Sequence, residues 1–159
     1  MARFKRKKDG KYQKLKRFLS QEPNVKVGFF NTRYADGTPV AYVAAIQEFG
    51  STRNNIPPRS FMRTTATEKA DAWAKAAKSI FRPVMVGSAD MAEALDKLGF
   101  IIEGDIAEKI TQISTPPLKQ STIRAKASKL ASGGGTGSLG KPLVETGLLL
   151  QSVTHQVES

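Results

Sequence analysis

The sequence predicts an α+β fold, a small antiparallel sheet packed against two long helices. Two short segments of alternating apolar character, "VKVGFF" at 25–30 and "VTHQV" at 153–157, lie at opposite ends of the chain as natural antiparallel neighbours. Between them, two stretches starting near Phe61 and Ser88 repeat apolar residues every three or four positions. With 159 residues the chain is long enough for one compact core and not for two.

In chain order, residues 1–22 read as a basic arm with a short helix over 11–20, where Tyr12, Leu15, Phe18 and Leu19 share a face before Pro23 ends it. Residues 23–159 form the single domain. The strand at 25–30 sets Val25, Val27 and Phe29 on one side and Lys26 and Phe30 on the other. "TPVAYVAAIQEFG" carries helix signals, with Thr38 as N-cap, Pro39 at the first helical position and Gly50 just past the end. Its packed side is expected along Val40, Val43, Ile46 or Gln47, and Phe49. The loop "STRNNIPPRSF" cannot be regular structure, because Pro57 and Pro58 remove two backbone donors and bias Ile56 to an extended conformation.

The first long helix runs from Phe61, with Met62, Ala66, Trp73, Ala77 and Ile80 in phase, and is broken or kinked at Pro83 and Gly87. A second, of roughly 24 residues, starts from a Ser88 cap and carries Met91, Leu95, Leu98, Ile102, Ile106, Ile110 and Ile113 on its apolar side. Pro116 and Pro117 stop it. "LKQSTIRAKASKL" is a third, basic helical segment, and 132–140 is a glycine-rich connector. Thr146 and Gly147 turn the chain into the last strand.

Lysines and arginines exceed carboxylates to give a net charge of +11, and the excess is uneven. The first 20 residues hold nine cations, among them Arg3, Lys5, Arg6, Lys7 and Lys8, against Asp9 alone. Such an arm reads as seeking a negative partner, either nucleic acid or an acidic protein face, or else as a merely solvated tail. No run is long and apolar enough for a membrane span or a secretory signal, which points to a protein made and used in a cytoplasm. The absence of cysteine excludes disulfides, thiolate metal sites and cysteine nucleophiles.

Three chemical signals fail on context. Gly135 to Lys141 spells GxxxxGK, but no strand precedes it and Pro142 stands where a P-loop needs Ser or Thr for magnesium. His155 is the one histidine, so neither a triad nor a metal set is nominated, and it reads as a packed or surface residue. Asp90, Glu93, Asp96, Glu103, Asp105 and Glu108 lie along one helix and read as its solvated face, with Glu103 and Asp105 pointing apart. No cofactor or metal is expected, and no catalysis.

Three stretches then carry a resemblance: "AAIQEFGSTRNNIPPRSFMR" (44–63), "PPLKQSTIRAKAS" (116–128) and "KPLVETGLLLQSV" (141–153). In this order and spacing they resemble the neck and tail-completion proteins of tailed bacteriophages, the virion morphogenesis or minor tail protein family. "NVKVGFF" is similar to that family's first strand. Ser60 departs from the family pattern, where a proline is usual, and so does Leu148, where a polar residue is common. The resemblance implies a structural virion protein at the head-to-tail junction, forming a hexameric ring between the tail terminator and the head-completion or connector proteins, with the DNA end close by. The expected contact residues are Phe49, Ile56, Pro57, Pro58, Arg59, Phe61, Lys141, Pro142, Thr146 and Leu148. "IPPRSF" reads either as a stiffened loop that presents Arg59 and anchors through Phe61, or as a rigid helix entry and nothing more. The alternative reading is a small basic DNA-binding or packaging-associated phage protein, with the arm and the "IRAKASK" helix on duplex.

Overall fold

The computed structural model describes residues 23–133 and 147–158, together with Gly10, Gln13, Lys16, Ser20, Leu139 and Leu143. Among these residues the order is β1 (Asn24–Phe29), α1 (Val40–Phe49), α2 (Met62–Met85), α3 (Met91–Gln112), α4 (Gln120–Ala131), α5 (Leu148–Gln151) and β2 (Val153–Glu158). The fold is α+β with a small antiparallel sheet. Most of the 11–20 segment and of the glycine-rich connector lies outside the described residues.

The strands pair antiparallel, Asn24 opposite Glu158 and Phe29 opposite Val153. Because side chains alternate along a strand, this register gathers Val25, Val27 and Phe29 on one face with Val157, His155 and Val153. A two-stranded sheet is marginal by itself. Here that face lies on α3, and α2 packs against α3. The core joins Val40 and Ala44 of α1, Phe61, Ile106 and Ile110 of α3, Leu143, Leu149 and Val153. Phe61 is fully buried and meets Phe29 edge to face, ring centroids 6.0 Å apart.

Several local expectations are corrected. Thr38 does not cap α1: Pro39 holds the N-cap position without a side-chain bond, and the Val40 N–H donates to the Thr32 carbonyl at 2.9 Å. The buried side of α1 is Val40, Ala44 and Glu48, so the helix is rotated from the expected face and Phe49 points outward. Pro83 does not end α2, which continues to Met85; lying two residues from the end, it interrupts little of the hydrogen-bond ladder. Asp90, not Ser88, caps α3, accepting from the N–H groups of Ala92 at 2.8 Å and Glu93 at 3.4 Å. Ser88 instead donates to the Pro83 carbonyl and closes α2.

The two long helices are joined by polar contacts. Trp73 Nε1 donates to Asp105 Oδ2 at 2.7 Å, Lys69 Nζ stands 2.9 Å from Asp105 Oδ1, and Lys109 Nζ lies 2.6 Å from Glu68 Oε2. Burial pushes the Asp105 carboxyl up, but the bonds from Trp73 and Lys69 outweigh it and hold the group below the usual carboxylate range.

Candidate functional site

The loop between α1 and α2 is held by two buried ionic side chains. Gly50 ends α1 at φ 77°, in the left-handed region that favours glycine. A Cβ there would stand 2.9 Å from the Ile56 carbonyl oxygen and the Pro58 nitrogen, so the chain can fold back this closely only at glycine. Ser51 and Ile56 then exchange backbone hydrogen bonds at 2.8 and 2.9 Å, and the Arg59 N–H donates to the Gln47 carbonyl at 2.7 Å.

Glu48, in the last turn of α1, reaches across to the start of α2. Its carboxylate accepts from the N–H groups of Phe61, Met62 and Arg63 at 2.8, 2.9 and 3.2 Å, and from the Ser60 hydroxyl and Arg63 Nε. The first N–H groups of a helix lack intrahelical partners, and a carboxylate at that end meets both the orphan donors and the positive pole of the dipole. Burial pushes the Glu48 carboxyl up, yet the hydrogen bonds from Ser60, Arg63 and the backbone hold it below the ordinary carboxylate value.

Arg59 is the other anchor. Its Nε donates to the Pro116 carbonyl at 3.1 Å and its Nη1 to Gln47 Oε1 at 3.2 Å, tying the loop to α1 and to the segment after α3. Arg59 is therefore buried and does not present its charge outward, which corrects the reading of this loop as an arginine display. Phe61 is likewise a core residue, so neither side chain belongs to an outer contact surface.

What remains outward is apolar and cationic. Tyr42 and Phe49, seven positions apart on α1 and hence on one side of it, are 59% and 65% exposed. The Arg63 guanidinium lies over the Phe49 ring, 4.6 Å from its centroid. Pro58 is exposed beside them in the chain's path, and Ile56 and Pro57 are half-buried. Leu148 is half-buried against the core. Lys141, Pro142 and Thr146, the arm residues Arg3, Lys5, Arg6, Lys7 and Lys8, and the GxxxxGK segment lie outside the described residues. In α4, Arg124 and Lys129 are exposed whereas Lys126 is buried.

A second polar cluster joins β2 to α3. His155 Nδ1 lies 2.7 Å from Glu103 Oε2 and Nε2 lies 3.1 Å from Asp96 Oδ1, while the Phe100 ring meets the imidazole edge at 4.5 Å. The packed reading of His155 is right. The solvated reading of the acidic helix face is corrected for Glu103 and Asp105, which are half-buried and hold partners, whereas Asp96 meets His155 while remaining exposed. Asp96 and Glu103 are seven positions apart and so share a helix face, while Glu103 and Asp105 do point apart, one to His155 and the other to Trp73. Burial pushes the imidazole down, but the two carboxylates outweigh it and raise His155 above its ordinary 6.5. Among the described residues, no group of three metal-ligating side chains is placed to hold an ion.

Comparison with protein-family models, with curated proteins and with solved structures found no match. Sequence reasoning missed Glu48 as the organiser of the loop. Its signal was a carboxylate thirteen positions before the fully buried Phe61, a separation no local pattern connects.

Proposed function

We propose that this chain is a structural virion protein of the head-to-tail junction of a tailed bacteriophage, a neck or tail-completion protein that works by holding neighbours. The observation that carries this reading is the turn from α1 through the loop into α2: Glu48 of α1 and Arg59 of the loop are spent on internal anchoring, which leaves Tyr42 and Phe49 of α1, and Arg53 and Pro58 of the loop, exposed as a ledge. A preorganised apolar surface with a flanking arginine loses little entropy on association and suits a contact repeated between copies. The resemblance of 44–63, 116–128 and 141–153 to that family adds the ring, six copies by analogy, between the tail terminator and the head-completion or connector proteins. The arm's nine cations then face an acidic ring or the DNA end, because like charge on every copy opposes closure of a ring.

The test is complementation of a phage lacking this chain. Unjoined heads and tails are expected in its absence, with joining restored by the full chain and not by a folded Phe49→Asp variant. Complete, infectious particles formed without the chain would overturn the proposal.

The DNA-binding alternative draws on the exposed Arg124 and Lys129 of α4, but the burial of Lys126 removes one cation of "IRAKASK" from that surface. A gel shift near physiological salt beside a mass measurement separates the two. Tight duplex binding by a monomer favours the alternative, and a ring indifferent to DNA favours the junction protein.

A further inference from the structure

Arg59 carries a buried charge for which the described structure supplies no counter-ion. The residue is 5% exposed. Its three guanidinium nitrogens are oriented by Pro116 O at 3.1 Å, Gln47 Oε1 at 3.2 Å and Pro117 O at 3.5 Å, all uncharged acceptors. No carboxylate of the described residues forms an ion pair with it, and burial alone moves its pKa, downward from its ordinary value. A guanidinium stays protonated at any physiological pH. Removing a cation from water costs several kcal/mol, and buried charges are ordinarily paired for that reason. Neutral carbonyls fix the fork's direction without cancelling its charge, and each Nη keeps a second N–H.

Arg59 is one of the residues lining a cavity of about 360 Å³ between the loop, α2 and the end of α3. That space is many times the volume of a water molecule. Beside Arg59 it is lined by Lys109, by the hydroxyl-bearing Thr64, Ser114 and Thr115, and by Ser60, whose hydroxyl already donates to Glu48. Lys109 is paired with Glu68, itself about half exposed. Glu48, behind Ser60, has its carboxylate occupied by the start of α2 and by Arg63. The lining itself thus holds two cations, Arg59 and Lys109, and no carboxylate, with Glu68, Glu48 and Glu108 behind Lys109, Ser60 and Gln112 and the hydroxyls of Thr64, Ser114 and Thr115 alongside.

We propose that this cavity is an oxyanion site, taking a phosphate or carboxylate group with Arg59 as the oriented anchor and Lys109 as the second cation. A planar fork held in place and flanked by hydroxyl donors recognises two oxygens of one group. The bound anion would tie the 50–61 loop to the segment at 113–117 and so stiffen the ledge described above. The inference stands apart from the junction reading, since it needs no ring and no phage.

The experiment measures thermal unfolding of the full chain in sodium phosphate, sodium acetate and sodium chloride at matched ionic strength. Phosphate, acetate or both are expected to raise the midpoint saturably beyond chloride, and which of them does so tells a phosphate ligand from a carboxylate. Lys109→Gln is expected to weaken the effect about fivefold and Arg59→Lys about tenfold, the loss of one charge-assisted bond or of the fork. The lysine-rich arm also attracts phosphate, but binding there survives both substitutions. Because Arg59→Lys can unfold the loop, nuclear magnetic resonance shifts of Thr64 and Thr115 on phosphate or acetate addition give a second readout in the unaltered protein. A response no greater than that to chloride overturns the proposal, as does one that persists in Lys109→Gln with Thr64 and Thr115 unmoved.

Discussion

Glu48 Oε1 lies 2.9 Å from Arg63 Nε, and the pair is unequal, with Glu48 buried and the Arg63 side chain 61% exposed. The carboxylate's main work is elsewhere, on the three N–H groups that begin α2. Glu48→Gln is therefore expected to destabilise the fold by about 2–4 kcal/mol, as buried donors lose a charged acceptor. Arg63→Gln should cost about 0.5–1 kcal/mol, the value of a partly exposed pair. Urea denaturation of both variants checks this, and equal losses would contradict the account. Since the folded pKa of Glu48 is depressed, its contribution is present above the ordinary 4.5 and fades as pH falls through the folded value.

His155 should act at the other end of the scale. Its folded pKa is raised by Glu103 and Asp96, so the stability it adds is complete below its ordinary 6.5 and is lost as pH rises through the folded value. Denaturation midpoints measured from pH 5 to 9 (about four units) should fall over the upper part of that range, and His155→Gln should flatten the profile. An unchanged slope in His155→Gln would refute the assignment.

Two glycines in α3 should respond with opposite sign. Alanine is worth about 1 kcal/mol over glycine inside a helix, and Gly104 has open space where a Cβ would go, so Gly104→Ala is expected to stabilise by about 0.5–1 kcal/mol. At Gly99 the added Cβ would stand 2.4 Å from His155 Cδ2, and Gly99→Ala should destabilise by about 1–3 kcal/mol as β2 is pushed off the helix. Thermal unfolding of the two variants side by side decides it.

Phe61 and Phe49, twelve positions apart, should separate folding from association. Phe61→Ala removes a fully buried ring and is expected to cost about 3–5 kcal/mol. Phe49→Ala should change stability by less than about 1 kcal/mol, because the ring is mostly exposed, and should weaken self-association measured by sedentation velocity or mass photometry. A Phe49→Ala variant that associates normally would remove the ledge from the interface.

Much of the fold was legible in residue order alone. The alternation in "VKVGFF" and "VTHQV" named both strands and their pairing, and the three-and-four spacing from Met91 to Ile110 named α3, because period reports directly on which side of an element is wet. Glycine at position 50 marked the end of α1 for an equally local reason, a backbone angle that other residues resist. The rotation of α1, the burial of Arg59 and the Asp96–His155–Glu103 cluster were not legible. Each depends on groups brought together from distant parts of the chain: Glu48 on the start of α2, Arg59 on the carbonyls of 116 and 117, His155 on residues 52 and 59 positions earlier. The sequence by itself determined where the chain is helical, extended or broken, since those choices are made within a few residues by sterics and hydrophobic period. Only the tertiary structure decided which charges face inward, because a side chain's solvation is set by whatever packs over it.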